Sequence, residues 1–200
     1  MRIGITPSVK ETYKKQFEYS VDKRLIEFLE NVFKKCEIVI LISDKDLKKN
    51  FDLIIISGGN DIFSYKKIKQ NYLRNQIDYK CVKKAINYNI SIIGICYGAQ
   101  FLANFFGNKI IKIKNHVRIN HDLHIKNKLY LNKDKIKVNS FHNFGIINSS
   151  KNLEVLGVCE DKTIEFFKIK NQNFFGIMWH PERYISFRKN DIQILKKICN

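Results

Sequence analysis

The chain has 200 residues, with 36 lysines and arginines against 19 aspartates and glutamates, for a formal net charge of +17. That length suits one domain, residues 1–200, which buries roughly 70% of its unfolded surface, so neither a disulfide nor a metal staple is needed. Five cysteines without a CxxC spacing read as reduced thiols, the start MRIGITPSVK has no apolar signal region, and no apolar run approaches the ~18 residues of a membrane span. A cytoplasmic protein is expected, with no membrane partner.

The charge itself is diffuse. Lysine pairs such as Lys14-Lys15, Lys34-Lys35, Lys66-Lys67 and Lys196-Lys197 are scattered, and no basic helix is interleaved with aromatics. This pattern suits solvated faces, not a nucleic-acid groove, while a positive field would draw in a small anionic substrate.

In chain order, RIGIT (Arg2–Thr6) reads as a buried strand. A helix follows over Val21–Phe33, with Leu25, Ile26, Leu29 and Phe33 at helical spacing. Glu37–Ile42 and Leu53–Gly59 are continuous apolar runs, as strands covered on both faces should be. Ile77–Tyr88 is helix-like and Ser91–Cys96 is another buried run. Such alternation predicts an α/β fold, an open, mostly parallel sheet with helices on both faces. The second half reads instead as strands joined by turns: DLHIKNKLYLN, KIKVNSF, LEVLGVCE and TIEFFKIKNQNFFGIMW, with KNQN as a hairpin turn. An antiparallel extension of the sheet is expected there. NDIQILKKIC would close the chain as a helix capped by Asn190.

The chemistry concentrates in three places. In GICYGAQFLANFFG, Cys96 lies between an apolar run and a helical pattern, with Gly94 and Gly98 on either side. A nucleophile on a sharp strand-to-helix turn needs such small neighbours, and the helix that follows favours a thiolate and an oxyanion. The amide of Tyr97 would point at that oxyanion. Cys36, Cys81, Cys159 and Cys199 have no such setting and read as core or element-end residues. FFGIMWHPER puts His180 at a strand end, with Pro181 fixing the backbone and Glu182 within reach of the far ring nitrogen. IISGGNDI ends a third strand in Gly58-Gly59, where the backbone can approach a ligand. On an alternating strand His121 and His124 would face opposite sides, as would His116 and His121, so surface or pocket-wall roles are expected for them and no metal.

SGGND, GICYGAQ and WHPE, in this order, resemble the class I glutamine amidotransferase superfamily, over nearly the whole chain. VNSFH (Val138–His142) and DKTIEFF (Asp161–Phe167) are similar to its γ-glutamyl hydrolase branch. The resemblance implies a flavodoxin-like fold and a γ-glutamyl thioester on a cysteine nucleophile. It implies a catalytic triad of Cys96, His180 and Glu182, and oxyanion-hole amides from Gly59 and Tyr97. Substrate would be lined by Gly58, Asn60, Gln100, Ser140, Phe141, His142 and Glu165. No cofactor is implied. The chain departs from the family in having His142-Asn143-Phe144 for H-H-Q, Tyr97 for an arginine, and Lys162 for the usual glycine. A stand-alone hydrolase of a small anionic γ-glutamyl amide is expected, with a homodimer or a partner synthase as possible assemblies. The alternatives are a glutaminase that passes ammonia to a synthase and, from another class, a non-catalytic regulatory or nucleic-acid-binding module.

Overall fold

The computed structural model describes residues 1–199. The first half contains β1 (Arg2–Thr6), β2 (Ser8–Tyr13), β3 (Gln16–Ser20), α1 (Lys23–Val32), β4 (Glu37–Ile40), β5 (Leu53–Ile56), α2 (Lys69–Tyr88), β6 (Ser91–Ile95) and α3 (Tyr97–Phe105). The second contains β7 (Ile111–Lys112), β8 (Val117–Ile125), β9 (Lys135–Phe141), β10 (Phe144–Gly145), β11 (Leu153–Cys159), β12 (Ile164–Ile169), β13 (Phe174–Ile177) and α4 (Lys189–Cys199).

Nine strands form one sheet in the order β4-β1-β5-β6-β13-β12-β11-β8-β9. Its first five strands pair in parallel and the remainder pair antiparallel. The KNQN turn joins β12 to β13, so the last hairpin inserts its second strand beside β6. This is the flavodoxin-like α/β arrangement expected from the sequence, with its antiparallel extension in the second half.

Side-chain alternation divides the core. Ile3, Ile5, Leu53, Ile55, Ile93 and Ile95 pack with Leu25, Phe28 and Leu29 of α1 and Ile194, Leu195 and Ile198 of α4. Ile54, Ile56 and Ile92 face the other way, onto Cys81, Val82 and Ala85 of α2 and Phe101 and Leu102 of α3. Both faces being covered explains why these strands read as unbroken apolar runs. Asp22 caps α1, its side chain accepting from Arg24 N at 2.9 Å.

Three elements differ from the sequence reading. The β2–β3 hairpin was not expected; it pairs Ser8–Tyr13 with Gln16–Ser20 in a sheet of its own. Helix α2 starts at Lys69, eight residues before the apolar pattern does. Its first turns bury Asn71, Arg74 and Asp78 in place of an apolar stripe. Asn190 lies inside α4, not at its cap, because the helix begins at Lys189.

The elbow depends on close backbone approach. A Cβ on Gly94 would overlap the Gly98 backbone, and one on Gly98 would overlap the carbonyl of Ile56. Gly98→Ala is therefore expected to lower stability by about 3 kcal/mol or more, as backbone overlap in a packed layer cannot relax. Gly107→Ala, at φ +84° with nothing near its added methyl, should cost only about 1–2 kcal/mol. Urea denaturation of the two variants checks the ranking; equal losses would refute the steric account.

Candidate active site

The parallel strands end together. In register, Thr6 pairs with Ile56, Ile56 with Gly94 and Ile95 with Ile177. The residues that follow each strand therefore meet at one sheet edge: Pro7 and Ser8, Ser57 to Gly59, Cys96, and Met178 to His180. Ligands of open α/β sheets bind at this carboxyl edge.

Cys96 sits there at φ 51°, ψ −102°, a conformation rare outside glycine. Its own amide donates to Ile177 O at 2.8 Å, fixing the turn to β13. Tyr97 is the first residue of α3, and the opening amides of a helix have no intrahelical acceptor. Cys96 is 8% exposed.

His180 is held by its backbone. Its N–H donates to Asn139 Oδ1 and its carbonyl accepts from Asn139 Nδ2, both at 2.8 Å. Phe141 packs against the ring at 5.8 Å in a T-shaped arrangement, and a Cβ on Gly58 would collide with the imidazole. The short 3-10 turn Pro181–Arg183 swings Glu182 back, so that its Oε1 lies 2.6 Å from His180 Nδ1. The His180 imidazole and the Cys96 thiol lie close enough for each to act on the other's charge.

The electrostatics follow from that contact. Burial pushes the Cys96 thiol up, but the charge and hydrogen bond of His180, with His142 and Arg183 beyond, bring it below its ordinary value. Burial likewise pulls His180 down, while Cys96 and Glu182 raise it to about 9. The other four thiols, Cys36, Cys81, Cys159 and Cys199, are all raised, chiefly by burial. Among five cysteines, Cys96 is the one whose thiol is lowered, which favours its thiolate form.

A buried network braces the elbow from behind. Arg74 Nε donates to Asp78 Oδ2 at 2.7 Å, and the Tyr97 hydroxyl donates to the same oxygen at 2.9 Å. Arg74 also donates to Pro7 O, to Thr6 Oγ1 and to Ser57 O, and its guanidinium lies 4.9 Å from the centre of the Tyr97 ring. One cation thus joins the ends of β1 and β5 to the start of α3. Sequence reading missed Arg74, Asp78 and Asn139; a charged pair at i, i+4 within a polar helix start gives no sign of its burial.

The remaining sequence-predicted residues fall into two groups. Gly59, at φ +128°, lies against Ser8 in the hairpin, and Asn60 is engaged with that hairpin, exchanging two 2.8 Å hydrogen bonds with the backbone of Val9. Gln100 Nε2 donates to Phe144 O at 2.9 Å, where His142 Nδ1 also donates at 3.0 Å. Ser140 donates to His116 O at 2.6 Å, and Glu165 is fully buried beside His142, 3.4 Å away. Lys162, in the position of the family's glycine, takes a left-handed φ of 70°.

One expectation is corrected. His116 and His121 do not face opposite sides: their ring centroids are 4.6 Å apart. His116 precedes β8, and a register shift between Val117 and Ile119, with Arg118 at φ 56°, breaks the alternation.

The fold and this edge define a class. Residues 12–198 match the family model for class-I glutamine amidotransferases, and the chain belongs to that family. It is an amidohydrolase of the glutamine amidotransferase type, acting on C–N bonds. Among its relatives is the gamma-glutamyl-CDP-amidate hydrolase of Campylobacter jejuni subsp. jejuni serotype O:2, 38% identical over 144 residues, which cover 72% of this chain and 68% of that one. A glutamine-hydrolyzing GMP synthase component from Methanococcus aeolicus is 26% identical over 161 residues, covering 79% and 78%. The crystal structure of a glutamine amidotransferase from Thermotoga maritima superposes with a TM-score of 0.70 at 16% identity, covering 98% of this chain and 82% of that one.

The lowered thiol makes a measurable claim. Mass-mapped alkylation of Cys96 should rise with pH through a limb below the ordinary thiol value, and His180→Ala should move that limb upward. An alkylation limb at or above the ordinary thiol value in the intact protein would contradict the ion pair.

Proposed function

We propose that residues 1–200 act as one catalytic unit that hydrolyses a γ-glutamyl amide. In this reading His180 holds the Cys96 proton, and Glu182 orients the imidazolium. The thiolate attacks the γ-carbonyl, and the amides of Gly59 and Tyr97 receive the oxyanion; loss of one such donor costs ~3 kcal/mol. Collapse of the adduct breaks the C–N bond as His180 gives its proton to the leaving nitrogen. Water, deprotonated by His180, then cleaves the thioester and releases L-glutamate. The requirement for a protonated His180 in the first half predicts loss of acylation above about pH 9.

The observation that carries the choice of leaving group is a cavity of about 430 Å³ beside the proposed triad. His180, Glu182, Gly58 and Gly59 form one wall, and the β2–β3 hairpin with Arg183 forms another. Lys10 and Arg183 give it two exposed cations, Ser8 and Ser20 give it hydroxyls, and Asp22 lies at its edge. Such a lining suits a diphosphate far better than ammonia, which needs no pocket. We therefore assign a nucleoside-diphosphate-linked γ-glutamyl amide as substrate, as in the named Campylobacter relative. The products are glutamate and cytidine diphosphoramidate, and the same reading assigns the latter to capsule polysaccharide modification. Gln100, Ser140, Phe141, His142 and Glu165 line the glutamyl side.

No described helix is long and apolar enough to cross a membrane. Relatives named as glutamine-hydrolyzing components of GMP synthase favour a second reading, a glutaminase that hands ammonia to a synthase. Purified protein separates the two. γ-Glutamyl-CDP-amidate should release glutamate without a partner and much faster than glutamine does, and Cys96→Ala should abolish this. Lys10→Ala should raise KM for the nucleotide substrate several-fold and leave glutamine turnover unchanged. Equal use of glutamine, or activity only with a synthase present, would overturn the assignment.

A further inference from the structure

Behind the glutamyl side lies a cluster that the proposed hydrolysis does not use in full. Glu165, on β12, is completely buried, and neither carboxylate oxygen has a hydrogen-bond partner among the described residues. Around it stand His142 Nε2 and His116 Nδ1, 3.4 and 3.5 Å from Oε1, and His121 Nε2, 3.7 Å from Oε2. His121 Nε2 is likewise buried and unpartnered among the described residues. Buried polar atoms left in this state are costly, and several converging on one point call for a missing partner.

The partner's chemistry can be read from the distances. A shared proton draws an imidazole and a carboxylate to about 2.7–2.9 Å, as at His180 and Glu182, where the separation is 2.6 Å. The contacts to Glu165 are too long for that. They are close to the ~3.4 Å edge of a tetrahedron of ligands around an ion with bonds of about 2.1 Å. One ligand atom from each of His116, His121 and Glu165 lies within 4.8 Å of the others, so the widest pair needs to close by at most about 1.4 Å.

The outer groups agree. His116 Nε2 is 2.8 Å from Asp161 Oδ2, an acceptor that fixes the ring proton on Nε2 and leaves the Nδ1 lone pair facing Glu165. An imidazole that donates outward to a carboxylate while its other nitrogen faces inward is the usual setting of a metal-binding histidine. Access exists as well. A pocket of about 200 Å³ opens on His116 and His121, and Asp122, Glu160 and Asp161 line it together with Lys114 and Asn115. Three carboxylates at one mouth stand out on a chain of net charge +17.

We propose that His116, His121 and Glu165 form a binding site for a divalent transition-metal ion of the zinc type, with solvent from the pocket completing its coordination. Two imidazoles and a carboxylate are a donor set suited to such ions and poorly suited to magnesium or calcium. The ion would tie the segment before β8 to β12, and so hold the wall on which His142 and Ser140 are mounted.

The test is direct metal binding by the intact chain after chelator treatment. Zn²⁺ should bind at one equivalent per chain and raise the melting temperature. Co²⁺ should give the visible absorption of a four-coordinate nitrogen–oxygen site. His121→Ala, with an unchanged circular dichroism spectrum, should weaken Zn²⁺ binding at least ten-fold. Should that variant not fold, ring resonances of the intact protein decide: Zn²⁺ must shift His116 and His121 and leave His124 in place. No stoichiometric binding, undiminished binding in the folded variant, or unshifted His116 and His121 rings would overturn the site. None of these readouts depends on glutamate release, so the site stands or falls apart from the proposed hydrolysis.

Discussion

The left-handed backbone of Cys96 is the constraint on which the other parts depend. A non-glycine residue at φ 51° costs free energy, and the surroundings must hold it there. Here they do so by proximity: Gly94 lets α3 start immediately over β6, and Gly98 lets the helix rest on the Ile56 carbonyl. The backbone bond from Cys96 to Ile177 ties the same turn to the strand that leads to His180. Elbow and imidazole are thus referenced to a single pair of parallel strands, which fixes their separation more firmly than two loops would.

The buried Arg74 extends this frame sideways. An enclosed ion pair seldom adds net stability, because desolvation offsets the attraction. Its value here is geometric, since the five-donor guanidinium reaches three chain segments at once. With Asp78 it also occupies the Tyr97 hydroxyl, which leaves that residue's ring packed in the core and its main chain at the head of α3. Relatives with an arginine in place of Tyr97 would need a different bracing.

Much of the parallel half was legible because its strands are covered on both faces, and continuous apolar runs such as Leu53–Ile56 have no other simple reading. The hairpin Ser8–Ser20 was not legible. Its residues are mostly exposed, so it carries no apolar run, and what holds it, the burial of Val9 and the side chain of Asn60, acts across the fold. The same blindness applies to His116 and His121. Strict alternation separates them, and only a local irregularity around Arg118 brings them together. Glycine fences and the HPE triplet were visible because they depend on neighbours along the chain, whereas Asn139 and Arg74 act across the fold.

The hairpin's mode of attachment has an evolutionary corollary. It forms a two-stranded sheet apart from the main one, leaves the chain directly after β1, and is pinned by buried Val9, by packing on α2 and by Asn60. Its exposed positions beyond Val9 can drift, lengthen or be exchanged without disturbing the elbow or the strands beneath. On the proposed reading, selection for a new leaving group would therefore find its raw material in this short run of surface residues, and a laboratory chimera could borrow the same cassette from a relative.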